Sequence, residues 1–265
     1  RTSRNIITME EPTRDITVIL NLYRREEYLE EQIKAIRNQN IQPKEIWLWI
    51  NAHEDNKDFD ASKYDIDKVF RNDHNWKYYG RFAAALLADT KYIAMFDDDT
   101  IPAPGWFINC MGCMEGGHRG ILGGAGVKLN SMSYVDHERV GWNGQPTNEN
   151  VEEVDLVGHA WFFEREWLKY LWIEKPFTWD NGEDIQFSYC AKRYGGVKTF
   201  VPPHSQYTPH LHSSVRGWQY GTDDKASSNG SLMSIPLFYQ QRDECIKHGI
   251  NNGWETVNDI AKLRN

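Results

Sequence analysis

In the first hundred residues, short apolar runs rich in β-branched and aromatic side chains alternate with helical patterns, and each run ends on a polar residue. Ile16-Thr-Val-Ile-Leu20 reads as a buried strand and stops at Asn21. A helical pattern runs from Glu26 to Asn38, with Leu29, Ile33 and Ile36 on one face, and closes at Gln-Asn-Ile-Gln-Pro43. Glu45 to Ile50 reads as a second strand ending at Asn51, and Lys68-Val-Phe70 as a short third. Tyr79 to Ala88 reads as a second helix, and Tyr92 to Phe96 as the next strand. Strands alternating with helices argue for right-handed crossovers and an α/β fold with a mostly parallel central sheet flanked by helices. Such sheets bind ligands at the carboxyl ends of their strands, so Asn21, Asn51 and the residues just after Phe96 are expected to converge.

Directly after Phe96 come Asp97-Asp98-Asp99-Thr100. Three adjacent carboxylates repel one another and are costly beside a buried strand unless something positive neutralises them. A hard divalent cation prefers oxygen ligands and serves that purpose. If the strand alternation continues, Asp97 and Asp99 share a face and Asp98 turns away. The plainer alternative is a solvated acidic turn.

Composition narrows the function. The formal net charge of -8, with no basic stripe, disfavours a duplex nucleic acid partner. No apolar run approaches the roughly 20 residues needed to span a bilayer. The chain starts at Arg1, so an upstream targeting or anchoring segment can have been cut away. The expectation is a soluble catalytic domain, either cytoplasmic or the lumenal part of a truncated enzyme. Cys110 and Cys113 have a zinc-knuckle spacing but lack a second pair, since Cys190 and Cys245 stand far apart; free buried thiols are expected. Residues 1–14 read as a loose arm, and 15–265 as one unit with no linker or repeat. Within it, 15–102 form one half and 103–265 the other, and a smaller subregion is expected beside the sheet. Eleven Trp include Trp142, Trp179 and Trp218 beside polar or glycine residues, where flat rings suit stacking on a sugar.

Further constellations carry chemistry. Asn181-Gly-Glu183-Asp184 opens a helix, where free amides favour negative charge and a carboxylate can act as general base. His210 and His212 share a face of an extended segment, and one of them can complete an octahedral metal site. Arg216 and Lys225, among glycines, can close over a diphosphate as lid loops do. Arg71, Asn72 and Arg81 offer partners for phosphate oxygens. A P-loop, a Gly-x-Gly-x-x-Gly turn and a nucleophile elbow are all missing from the sequence, so a glycine loop does not cradle phosphate here.

Taken in order, these segments resemble the GT-A superfamily of nucleotide-sugar glycosyltransferases. Ile16 to Arg25 looks like the opening strand and nucleotide-binding turn, Phe96-Asp-Asp-Asp-Thr100 like the Asp-x-Asp motif, Val157 to Phe163 like the acceptor-side strand, and Gly182-Glu-Asp184-Ile like the segment presenting the catalytic carboxylate. The triplet, the Glu-Asp-Ile helix and the tail Phe238 to Ile246 are similar to exostosin-type enzymes (family 64), including algal-virus domains that transfer xylose to capsid glycans. The first half also resembles family 2. The resemblance implies Mn²⁺ or Mg²⁺ held by Asp99 and His212 (or His210), a UDP-sugar donor, and a glycan or glycoprotein acceptor. It implies nucleotide or diphosphate contacts from Arg24, Asn51, Asn72 and Arg81, a donor-sugar or ribose contact from Asp97, and assistance from Asp98. Asp184 would face the acceptor hydroxyl, oriented by Glu183. UDP-xylose and UDP-N-acetylhexosamine are the favoured donors. Family 2 inverts and exostosin-type enzymes retain; inversion is favoured because a single base at Asp184 suffices. A nucleotidyltransferase would also use an acidic metal site, but Asn21 to Arg25 lacks the glycine-rich loop it needs. A carbohydrate-binding module without turnover would have no need of Asp99, Asp184 and His212 together.

Overall fold

The structure is a computed structural model describing residues 15–142, 144, 146–217, 219–221, 225 and 235–262. The N-terminal arm expected at 1–14 and Trp218 lie outside the described residues.

Four strands form the expected parallel half: β1 (Ile16–Leu22), β2 (Glu45–Ile50), β3 (Lys68–Arg71) and β4 (Tyr92–Phe96). They are joined through α1 (Leu29–Arg37) and α2 (Gly80–Ala85). β1 lies between β2 and β4, and Val18, Ile19 and Leu20 are fully buried. A strand covered on both faces reads as a continuous apolar run rather than an alternation, and each such side chain contributes about 1.5–3 kcal/mol of burial.

The second half departs from a parallel pattern. α3 (Trp106–Glu115) leads to β5 (Ile121–Leu122). β6 (Ala125–Leu129), β7 (His137–Gly141) and β9 (Leu156–Gly158) make a separate antiparallel sheet, while β8 (Glu152–Val154), β10 (Ala160–Glu164) and β11 (Thr199–Val201) join β5 in the large one. The large sheet runs β3-β2-β1-β4-β10-β5-β11-β8, and β10 enters antiparallel to both β4 and β5. The stretch 154–163 is therefore shared between two sheets, and the chain crosses into the small one at Asp155 and back at His159.

After α4 (Leu168–Leu171), the long α5 (Glu183–Gly195) packs between both cores. Phe187 and Ala191 join the main cluster, whereas Ile185, Tyr189 and Cys190 join a second one with Leu129, Leu156, Ile246 and Trp254. Ile246 comes from α6 (Ile235–Asn251), so α6 backs α5 from outside. All four cysteines are buried and free. Among the described residues no helix is long and apolar enough to cross a membrane.

Candidate active site

The carboxyl ends of β1, β2 and β4 open onto a cleft of about 280 Å³, closed on the far side by the start of α5. The triplet forms its floor. β4 ends at Phe96, and residues 97–100 turn, with Thr100 N donating to Asp97 O at 3.1 Å. The turn is pinned from α1: Gln32 is buried and its Nε2 donates to Asp97 O and Thr100 O, both at 2.7 Å. Gln39, two residues past the end of α1, donates to Ala103 O and accepts from Phe107 N. These glutamines satisfy backbone groups that a loop beneath a helix would otherwise leave unpaired.

The turn distributes the aspartates differently from strand alternation. Arg25 Nη1 bridges Asp98 Oδ1 at 2.8 Å and Asp99 Oδ2 at 3.1 Å, so Asp98 is neutralised beside Asp99 rather than turned away. Burial pushes the Asp98 carboxyl up to about 7, with Arg25 opposing the shift. Asp97 Oδ1 takes Arg81 Nη1 at 2.6 Å, and its Oδ2 lies 3.6 Å from His159 Nδ1. Ligand atoms of Asp97, Asp99 and His159 all fall within 4.8 Å of one another. Two carboxylates and an imidazole suit a divalent cation that accepts mixed oxygen and nitrogen ligands.

Sequence reasoning gives His159 no role, although it is the sole ionisable residue in the apolar stretch 156–163. Its backbone sits at φ 69°, a left-handed conformation that non-glycine residues avoid, and its carbonyl accepts from Asp97 N at 3.0 Å. The strained crossing between the sheets thus delivers both the imidazole and a backbone clamp to the triplet. His212 lies elsewhere: its Nε2 is 2.8 Å from Ser205 O, and its ring packs against buried His204. His210 belongs to a 3-10 turn, Pro209–Leu211, and neither histidine lines the cleft. The extended-segment expectation for the two is corrected by that turn, which removes their shared face.

The opposite wall comes from α5 and α6. Asp184 pairs with Arg242 in a two-pronged contact, Nη1 to Oδ1 at 3.1 Å and Nη2 to Oδ2 at 2.6 Å. Ile185 N also donates to Oδ1, at 2.9 Å. Arg242 itself is buried over the Tyr134 ring, 4.0 Å from its centroid, with Asn181 Oδ1 3.3 Å from its Nη1. Sequence reasoning misses Arg242 as well. Its signal is spacing: it stands four residues after Phe238 and four before buried Ile246, a lone cation on the packed face of α6. Burial raises the Glu183 carboxyl to about 8; the Asp184 charge adds to the shift, and Arg81 and Arg242 oppose it. Arg81 Nη2 stands 3.8 Å from Glu183 Oε1, so one buried guanidinium links the two acidic walls.

The remaining candidates divide. Arg24 lines the cleft and pairs with Asp55 at 3.3 Å. Asn51 also borders it, but its side chain organises a turn: Oδ1 accepts from Trp49 Nε1 and Trp76 N, and Nδ2 donates to Lys77 O. Asn72 lies outside the lining and donates to Ile50 O and Phe70 O. Arg216 is also outside, held 3.1 Å from Glu31, while Tyr220 stacks on Tyr28 with centroids 3.8 Å apart and Lys225 pairs with Glu27 at 2.9 Å. Arg216, Tyr220 and Lys225 therefore reach back onto the start of α1. With them comes Gly221, at φ 81°, so close to the triplet that a Cβ there would sit 2.3 Å from Asp99 Oδ2.

The sequence model described as Glycosyl transferase family 2 matches residues 17–172. This chain belongs to glycosyltransferase family 2. No curated protein sequence matches it. Among solved structures, S. aureus TarS 1-349 in complex with UDP-GlcNAc is 17% identical with a TM-score of 0.60, covering 94% of this chain and 69% of that one. The same TarS fragment without the ligand gives 18% identity and 0.51, covering 72% of this chain and 58% of the fragment's length, and its UDP complex gives 0.52. The likeness establishes a GT-A-type fold for this family 2 chain.

Proposed function

We propose that residues 15–265 act as one catalytic unit, a divalent-metal-dependent transferase that moves a sugar from a UDP-sugar to a glycan hydroxyl with inversion, using Asp184 as base. The observation that carries this reading is one cleft with the Asp97–Asp99–His159 cluster on its floor and Glu183 and Asp184 on its wall. Mn²⁺ or Mg²⁺ fits Asp97, Asp99 and His159, and when bound it supplies Lewis acidity that offsets charge growing on the leaving diphosphate. Asp97 then serves as ligand as well as donor contact. Arg24 and Lys225 at the rim can approach phosphate oxygens by exchanging their carboxylate partners.

Asp184 provides the proton acceptor. A carboxylate has about four lone-pair sites. Oδ1 is occupied by Arg242 and Ile185 N, while among the described residues Oδ2 bonds Arg242 alone, and Asp184 lines the cleft. As the acceptor oxygen bonds the anomeric carbon, the bond to the diphosphate oxygen breaks and the hydroxyl proton passes to Oδ2. UDP leaves with the electron pair. Glu183, held near protonation, does not compete as a base and limits repulsion between the two carboxyls.

UDP-N-acetylhexosamine is the first donor to test, given the UDP-GlcNAc complex of the fold relative, and UDP-xylose the second. Calorimetry with each donor and Mn²⁺, then UDP release and NMR of the product anomer, tests the proposal. Asp184→Asn retains donor binding and loses transfer by about 10²–10⁴-fold. Absence of UDP-sugar binding with metal present defeats the reading.

A further inference from the structure

Two turns that border the cleft carry large aromatic rings exposed to solvent. Trp76 is 53% exposed, Phe177 50% and Trp179 50%. Exposed tryptophan is uncommon, and apolar patches beside a cleft mark ligand surfaces. The first turn also supplies Lys77 and Tyr78 to the cleft lining, and the second supplies Asn181. The turns meet where Lys77 Nζ stands 3.9 Å from Asp180 Oδ1.

Both rings are mounted on fixed supports. Trp179 meets Tyr79 edge-on at 5.2 Å and lies near-parallel to Trp172, 26° apart at 6.5 Å. The Trp76 turn is held by Asn51, which accepts from Trp76 N at 3.2 Å and donates to Lys77 O at 2.9 Å. Lys77 adopts φ 53°, so the turn is strained as well as clamped. His74 packs edge-on to Trp76 at 4.8 Å. The rings are thus pre-organised rather than floppy, which lowers the cost of binding.

We propose that Trp179 and Trp76 form a stacking platform for pyranose rings of the acceptor glycan, next to the transfer centre. This inference rests on the transferase reading above. The apolar face of a sugar ring matches an indole face, while its hydroxyls find charged partners in Lys77 and Asp180. The Lys77–Asp180 pair next to the two tryptophans argues against a protein partner, because interface cores are depleted of charged residues. Position argues for the acceptor rather than the donor: Trp179 precedes Asp184 by five residues, at most about 18 Å even for extended chain. A glycan whose hydroxyl reaches Asp184 Oδ2 can continue over Trp179 within a few sugar units.

The test uses the full chain labelled with 5-fluorotryptophan, with the Trp76 and Trp179 resonances assigned through W76F and W179F. Chitotetraose, cellotetraose and xylotetraose are titrated in turn in the presence of Mn²⁺ and UDP, and ¹⁹F shifts are recorded. At least one oligosaccharide is expected to move the Trp179 resonance. W179A should weaken its binding about three- to tenfold, with W179F intermediate. Leu87→Ala, at an exposed apolar site elsewhere, should bind like the parent. The inference is overturned if none of the three sugars moves either resonance, or if W179A abolishes a self-association detected by sedimentation. UDP binding in the same samples separates the two failures. Silent tryptophans with UDP bound reject the platform alone, whereas sugar binding without UDP binding rejects the transferase reading and leaves the platform.

Discussion

Arg242 is the residue whose removal tests most of the site's logic. It is 5% exposed, holds both oxygens of Asp184, touches Asn181 and lies on Tyr134. Removing one partner of a buried pair strands the other charge, at a cost of about 3–5 kcal/mol when water is excluded. Asp184 borders the cleft, so the lower end applies, and Arg242→Met should cost about 3 kcal/mol. At roughly 2.1 cal/mol/K per residue over 265 residues, that is a fall of about 5 °C in Tm. Asp184→Asn/Arg242→Met removes both charges and should regain at least half of the loss, because the stranded carboxylate is gone. Activity should behave differently. Arg242→Met lowers kcat by about tenfold or more through a misplaced base, Arg242→Lys by less, and the double variant does not recover transfer. Differential scanning calorimetry of the single and double variants, alongside UDP release, reads both quantities. Additive losses in the cycle, or a Tm change under about 1 °C for Arg242→Met, would refute the claim that Arg242 balances and aims Asp184.

Two more outcomes rest on the same geometry. His159→Ala should weaken Mn²⁺ binding at least about tenfold in EPR titrations, whereas His212→Ala should leave it unchanged; the reverse ranking rejects the cluster. The Glu183 carboxyl rises in the folded state to about 8 from 4.5, so the folded protein binds the extra proton across that window and stability falls as pH rises through it. Glu183→Gln should flatten this decline by on the order of a few kcal/mol between about pH 5 and 8 in urea melts with EDTA, and an unchanged slope counts against the burial argument.

The first half of the fold is readable from sequence because each element carries its own period. β1 is apolar throughout since both faces are covered, and α1 shows Leu29, Ile33 and Ile36 at helical spacing. The two-sheet second half is less so. The run 156–163 is apolar in both sheets, so its pattern holds no mark of the crossing except a lone histidine after Gly158. The carboxylates announce themselves because adjacent acids need a reason. Gln32 and Arg242 do not, since a single polar residue on an apolar helix face gains its meaning only from the partner it reaches.

The sequence by itself determined the strand–helix alternation, the placing of Asp97 to Asp99 at a strand end and the Glu183–Asp184 helix start, because these depend on local periodicity and short-range charge. Tertiary structure alone decided which groups share the site. Imidazole from His159 rather than His212 meets the aspartates, Arg25 rather than distance neutralises Asp98, Arg81 joins Asp97 to Glu183, and Arg242 holds Asp184. Those pairings join residues from 16 positions apart, Arg81 and Asp97, to 102 apart, Arg81 and Glu183 (183 − 81). Coulombic contact falls off over a few ångströms in space, and separation along the chain does not record it.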